Sequence, residues 1–307
     1  MAKAMKTESV VSYLFLSIIW GLSFLVVLKV VNGFGWVGAV SFRALVAGTT
    51  LLVVAAVKRR KIDVRTQWRS FAVVGATTVA GQLIGLSFAT PRIGTAMAAI
   101  LVATIPLFSM IIGQVWGLER VTPQRFAGLM LGAAGIVLLV GFPVVPVTRS
   151  FVLGCASSLF GSFCAALGSN YTLRRLRNVG ALEVTASAFV FGGLITLPLL
   201  AFVPVASAPT VSDFAYLAVL GSLMSGFAYV TYFRLVSSIG ATRAISVEFV
   251  VTVVAVCVGA LMLGESLSAI QLTGAVIVAG GCALVLGITP DFLPGQARRR
   301  YRASQRK

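Results

Sequence analysis

Residues 113–141, GQVWGLERVTPQRFAGLMLGAAGIVLLVG, return in outline 146 positions later as residues 259–287, GALMLGESLSAIQLTGAVIVAGGCALVLG. Aligned without a gap, Gly113, Glu119, Gly128, Gly135 and Gly141 fall on Gly259, Glu265, Gly274, Gly281 and Gly287, while Ala133 and Leu138 fall on Ala279 and Leu284. Upstream in the same register, Gly94 meets Gly240, Ala98 meets Ala244 and Gly75 meets Gly221. A phase that never slips across two apolar stretches marks an internal duplication.

Both copies are written in membrane-spanning segments. The chain is 58% hydrophobic and 11% charged, with a mean hydropathy of +1.00, far from the balance of a soluble domain. Ten apolar runs, at 9–31, 36–57, 70–90, 94–116, 122–142, 150–172, 180–204, 212–236, 240–263 and 267–288, are each long enough to cross a hydrocarbon core of ~30 Å. Charged, Pro-rich or Gly-rich breaks separate most of them, as at Lys58–Lys61, Pro91-Arg92, Pro143–Pro146 and Pro204–Pro209. The first run is too long for a signal peptide and no small-residue cleavage site follows it, so it reads as a retained helix.

A net charge of +17 raises the question of nucleic acid, but the basic residues lie in the gaps between apolar runs and form no face interleaved with aromatics. With the N-terminus inside, 21 of the 25 Lys and Arg fall on that side, against Lys29, Arg92 and Arg149 outside. The positive-inside rule therefore predicts both termini in the cytoplasm. Five spans per copy is an odd number, so the second copy is inserted upside down relative to the first, with a pseudo-twofold axis in the membrane plane. The expected organisation is a cytoplasmic N-terminus at 1–8, a first five-helix repeat at 9–142, an extracytoplasmic linker at 143–149, a second, inverted repeat at 150–288, and a basic cytoplasmic tail at 289–307 held near anionic headgroups.

Several chemistries are excluded by what the sequence lacks. Without a single His there is no HExxH metal site, His-dependent triad or His proton relay, and no GxxxxGK[ST] or GxSxG motif occurs. Cys155, Cys164, Cys257 and Cys282 all fall within spans and form no CxxC pair, which makes them packing residues. No metal, cofactor or enzymatic activity is expected.

In its order of motifs the chain resembles the EamA branch of the drug/metabolite transporter superfamily. The matching features are Trp20-Gly21 followed by Ser23-Phe24, Arg43 in the second run, Pro106-Leu107-Phe108 in the fourth, Gly117-Leu118-Glu119-Arg120 before a glycine-rich fifth, and Gly264-Glu265-Ser266 with Gly274–Gly281 in the second copy. The resemblance covers residues 9–288 and implies an all-α membrane fold of ten helices in two inverted five-helix repeats, generally exporting small metabolites. Among such proteins, exporters of amino acids, including aromatic amino acid and viologen exporters, are the nearest. The second copy departs from the first: Thr252 stands where Pro106 does, Phe189 where Arg43 does, and Ala166-Leu167 where Trp20-Gly21 does. Those asymmetries imply unequal roles for the halves.

Individual residues give the site its expected content. A charge at the centre of a span costs ~2.5–3.5 kcal/mol on the insertion scale and so faces the bundle interior or water. Arg43 and Glu248 qualify. Arg43 either grips a carboxylate or gates the outer mouth, or else binds loop carbonyls; Glu248 either carries a coupling proton or attracts an amine, or else pairs structurally with Arg243, with Arg43 or with polar neighbours. Trp20 lies mid-span, whereas Trp36, Trp68 and Trp116 lie at span ends. Gln82, Ser162, Ser222 and Ser225 reach similar depth, as bridges between helices or as cavity walls. Tyr229 and Tyr232, three apart, share a helix face and either stack on cargo or anchor at the interface.

Pro106 within the fourth run predicts a kink and a hinge. Gly128, Gly132 and Gly135, with Gly274 and Gly281, present small faces for close helix packing, within the chain or in a dimer.

The reading is a secondary transporter working by alternating access across a bacterial inner membrane, moving small amphipathic metabolites, amino acids by preference, outward. Its expected cavity residues are Trp20, Phe24, Arg43, Gln82, Ser162, Ser225, Tyr229, Tyr232 and Glu248. Its partners are a small-molecule substrate and lipid, not nucleic acid, with a monomer or homodimer as the unit. Efflux of drugs or quaternary cations, and passage through a passive channel, are the alternatives.

Overall fold

A computed structural model describes residues 7–60, 62–140, 148–203, 205, 208–263 and 268–286, with the side chains of 24, 28, 94–97, 99, 255–256 and 259–263 outside that description. Glu265, the tail at 289–307 and most of the segments 1–8 and 143–149 lie outside the described residues. Everything described as regular structure is helical: α1 Thr7–Val57, α2 Val64–Val74, a π segment Gly75–Gly81, α3 Gln82–Val102, α4 Ile105–Val115, α5 Pro123–Val140, α6 Arg149–Arg175, α7 Ala181–Thr196 with a 3-10 turn Leu197–Ala201, α8 Val211–Val219, a second π segment Leu220–Phe227, α9 Ala228–Ile239, α10 Ala241–Ile245, α11 Val247–Leu263 and α12 Ala269–Leu286.

Two of these helices double back. The Trp20 indole N–H donates to the Met224 carbonyl and the Arg43 guanidinium to the Ser225 hydroxyl, two neighbouring residues, although a straight α1 would hold Trp20 and Arg43 about 35 Å apart. The reversal is at Gly35, whose φ of 69° and ψ of 170° suit a residue without Cβ. In α3, the Gly85 carbonyl accepts from Ser157 and the Leu101 carbonyl from Ser162, five positions along α6. A straight helix would separate those carbonyls by about 24 Å against about 7.5 Å on α6, so the chain turns back between them, after Ile93, which still packs on Gly154 of α6, and before Ile100.

Eight helical stretches among the described residues are long and apolar enough to cross a membrane, with a shorter apolar helix at Ile100–Val115. The two expected runs not among the eight are the fourth, whose helix begins only at Ile100, and the ninth, whose helix Val247–Leu263 ends at the undescribed residues 264–267; each is also interrupted partway. Thr104 donates its hydroxyl to the Leu101 carbonyl at 2.6 Å and Ser246 donates to the Arg243 carbonyl at 2.8 Å, local bonds that compete with the helical ladder. The expected kink at Pro106 falls beside this interruption. The helix has already ended at Ala103–Thr104, and Pro106 lies in the first turn of α4, where a missing N–H costs little.

The duplication is visible in the packing. The π segment Gly75–Gly81, shifted by 146, becomes 221–227, almost coincident with the second π segment. A Cβ on Gly75 would lie 2.8 Å from the Gly192 nitrogen, and one on Gly221 would lie 2.6 Å from Val46, the position equivalent to Gly192. Between α5 and α12, Gly128 meets Gly281 and Gly135 meets Gly274, with would-be Cβ atoms 2.8 and 2.9 Å from the facing carbonyl oxygens. Each pair is the other's equivalent, and the two helices run antiparallel. Because lipid tails are as apolar as leucine, this seam rests on packing, for which small residues allow backbone approach. Leu129, Ile136, Val278 and Val285 close it, fully buried.

Outside the spans, Asp63 caps α2 by accepting from the Thr66 N–H at 3.1 Å, and that bond holds its carboxyl below the usual range.

Candidate functional site

The site forms where helices are irregular. The second π segment directs the Met224 carbonyl at the Trp20 indole, 3.1 Å away, and lets Ser225 donate back to the Leu220 carbonyl while accepting from Arg43. Just beyond it, α9 carries Tyr229 and Tyr232 on one face. Their rings lie 5.1 and 5.5 Å from that of Trp20 and 5.9 Å from each other, and Phe189 closes on Tyr229 at 5.0 Å. Tyr232 is fixed from behind by the Ser169 hydroxyl of α6 at 2.7 Å.

Across from this aromatic cluster, the first π segment and the break at Ser246 supply the polar wall. Thr78 comes from the π segment, Gln82 from the first residue of α3, and Glu248 from the first turn of α11. Together Trp20, Thr78, Gln82, Ser169, Tyr229, Tyr232, Ile245 and Glu248 line one central cavity. Its free volume is about 10 Å³, the room of one water. Small-molecule sites run from about 300 Å³, so these walls are closed on one another and must part to admit cargo.

Five of the nine expected cavity residues, Trp20, Gln82, Tyr229, Tyr232 and Glu248, thus line one cavity. The side chain of Phe24 lies outside those described. Arg43 and Ser225 bind each other beside the cavity, and Arg43 forms no ion pair with Glu248; the ion pair recorded among the described residues joins Arg125 and Glu119 at 3.9 Å. Ser162 is turned toward the Leu101 carbonyl and joins α6 to the returning end of α3.

Thr78 and Ser169 were missed by the sequence reading. The Thr78 hydroxyl is buried without a hydrogen-bond partner among the described residues, which leaves it a donor and an acceptor to offer. A sequence signal existed only indirectly, in the match of Gly75 with Gly221 that opens both π segments.

The arrangement gathers one carboxylate, an indole, two phenols, an amide and two hydroxyls around one small space. It has the parts to bind an amphipathic molecule and nothing arranged for bond-breaking. Relatives agree. The chain is 29% identical over 264 residues to the Escherichia coli protein described as an uncharacterized inner membrane transporter, YedA, covering 83% of each. It is 26% identical over 280 residues to Protein PecM of Dickeya dadantii, covering 88% of this chain and 90% of that one. To a probable terminal-alkyne amino-acid exporter of Streptantibioticus cattleyicolor it is 25% identical over 285 residues, covering 92% and 94%. A solved crystal structure shares the fold at a TM-score of 0.78 with 17% identity, over 92% of this chain and 98% of the other. The sequence profile of the EamA-like transporter family matches twice, at residues 9–141 and 152–287, and this multi-pass membrane protein therefore belongs to the EamA-like transporter family.

Proposed function

We propose that the protein is a secondary exporter of small amphipathic metabolites, amino acids including aromatic ones by preference, across a bacterial inner membrane. It crosses the membrane ten times as two inverted five-helix repeats with both termini in the cytoplasm, and the repeats rock about the central cavity in alternating access. The observation that carries this reading is the pairing of Glu248 with the Trp20, Tyr229 and Tyr232 cluster across one closed cavity. An ammonium group meets the carboxylate and the ring faces, an apolar side chain stacks on the rings, and Thr78, Gln82 and Ser169 answer the cargo's polar end. The named exporter among the relatives adds to the same reading. Pro106, at the start of α4, stands beside the break where the fourth span bends during the cycle.

The same carboxylate among aromatic rings also suits an organic cation without a carboxylate of its own, which keeps quaternary-cation efflux as the second reading. A passive channel fits less well, since the described cavity has a free volume of only about 10 Å³ and no ring of charges lines it. Counterflow in proteoliposomes separates the three. Vesicles preloaded with unlabelled amino acids are expected to accumulate labelled amino acid saturably. Exchange of quaternary cations but not amino acids would overturn the preferred cargo, and flux that never saturates would overturn the carrier.

A further inference from the structure

Away from the cavity, the loop between α4 and α5 reaches across to the second half of the chain. Its turn is fixed by the Gly113 carbonyl, which accepts from the N–H groups of Leu118 at 2.8 Å and Glu119 at 3.2 Å, and by Gly117 at φ 67°. Glu119 is thereby aimed at the connection between α9 and α10. One of its carboxylate oxygens accepts from the Thr242 N–H at 3.2 Å, and the other lies 3.9 Å from Arg125.

The receiving side is shaped for this contact. Gly240 takes φ 93°, a conformation that other residues rarely adopt, and a Cβ there would come 2.5 Å from the Glu119 oxygen. Only a glycine satisfies both conditions. Inward of the loop, the Thr242 hydroxyl lies 3.3 Å from that of Ser109, and the Asn170 amide donates to the Ser109 hydroxyl at 2.9 Å and carbonyl at 3.2 Å. Ser169 and Ile245, beside these groups in sequence, line the cavity. A polar seam therefore runs from the cavity wall to Glu119 and joins α4, α6 and α10.

The seam is incomplete at Asn170, whose carbonyl oxygen is buried with no hydrogen-bond partner among the described residues. A buried acceptor left unmet makes this state less favourable than its contacts alone would. That suits a contact that has to open.

We infer that Glu119, seated against Gly240 and Thr242, is a latch that holds this end of the carrier closed and is broken each time the end opens. Arg120, Arg125, Arg174 and Arg175 lie at the same end, which the orientation proposed above makes cytoplasmic, and the assignment of the latch to the inner gate rests on that reading. It adds to the cavity a second determinant of transport, one that never touches cargo and acts through the position of the helices.

The test measures the end-to-end opening directly. In full-length protein with the four cysteines replaced by alanine, spin labels at Arg120→Cys and Ser237→Cys, both exposed positions, report the separation of the two sides by pulsed dipolar spectroscopy. Glu119→Ala is expected to move the closed-to-open ratio roughly tenfold toward open, the effect of losing one charge-assisted hydrogen bond. Gly240→Ala, which leaves the carboxylate in place, is expected to do the same, and the double variant to go little further, since both remove one contact. Unchanged distance distributions in folded Glu119→Ala and Gly240→Ala proteins would overturn the latch. If Glu119→Ala does not fold, Glu119→Gln and Gly240→Ala carry the same decision. Labelling of Arg120→Cys by a membrane-impermeant maleimide in intact cells and in inside-out vesicles keeps the two readings apart. Reaction from outside would overturn the cytoplasmic assignment while the distances still judge the latch, and neither readout needs a known cargo.

Discussion

The seam between α5 and α12 and the cavity between α1, α9 and α11 are both buried helix contacts, yet they are built on opposite rules. In the seam, Gly128, Gly135, Gly274 and Gly281 bring backbone against backbone, and the surrounding Leu129 and Ile136 are fully buried. At the cavity, large rings and polar groups meet beside π segments and a broken helix. A contact made of backbone has one fit and resists sliding. Contacts among side chains on irregular helices have rotamers to exchange, and such bistable parts are where a carrier moves. The comparison assigns α5 and α12 to the fixed frame and the cavity walls to the working parts.

The largest effect is expected from breaking the frame. Gly281→Val puts a side chain within 2.6–2.7 Å of the Gly132 nitrogen and the Gly128 oxygen, neither of which can move aside, and is expected to cost about 3 kcal/mol or more. Gly280→Val, one residue along and open to its surroundings, is expected to stay within about 0.5 kcal/mol. Thermal unfolding in detergent reads both, and equal losses would remove the distinction between frame and wall.

At the cavity the order reverses, with function falling and stability held. Glu248→Gln is expected to lower counterflow roughly ten- to a hundredfold, the loss of a charge-assisted contact to cargo, without lowering the unfolding midpoint. Full activity in that variant would move recognition to the rings alone. Trp20→Phe loses the bond to the Met224 carbonyl and is expected to weaken half-saturation roughly fivefold. Ser162→Ala is expected to leave counterflow unchanged, because Ser162 faces the Leu101 carbonyl, which Thr104 also satisfies.

Smallest is the cap outside the spans. Since hydrogen bonding holds the Asp63 carboxyl below its ordinary value, its contribution is complete above about pH 3.9 and is lost as pH falls through the lower folded value. Wild type is expected to lose more of its thermal midpoint than Asp63→Asn between pH 5 and pH 2, by a small margin.

How far these features could be read from the amino acids follows the same division. The glycine register at 146 residues announced the seam because backbone approach demands one residue type at fixed intervals. Trp20 and the Tyr229, Tyr232 pair were legible because a mid-span aromatic and a three-residue spacing are periodic facts. Ser162 was left open between helix bridge and cavity wall, since depth along a helix does not give its rotation; it bridges α6 to the Leu101 carbonyl. Thr78 and Ser169 escaped altogether. A π segment shifts helical phase without any residue that marks it, so the faces beyond it cannot be counted from a 3.6-residue period. The interruption at Ser246 was invisible for a similar reason, as one hydroxyl bonded three residues back leaves no pattern.

The exchange at the seam, with Gly128 on Gly281 and Gly135 on Gly274, has a historical consequence. A surface that meets its own equivalent needs no partner of different ancestry: a single half-length peptide, paired with a second copy of itself, would carry the whole contact. Fusing two such peptides by gene duplication would add no new interface to evolve. Once joined, each half would be released from having to match itself elsewhere, which is the freedom recorded where Arg43 faces its counterpart Phe189, and Pro106 its counterpart Thr252, across the duplication.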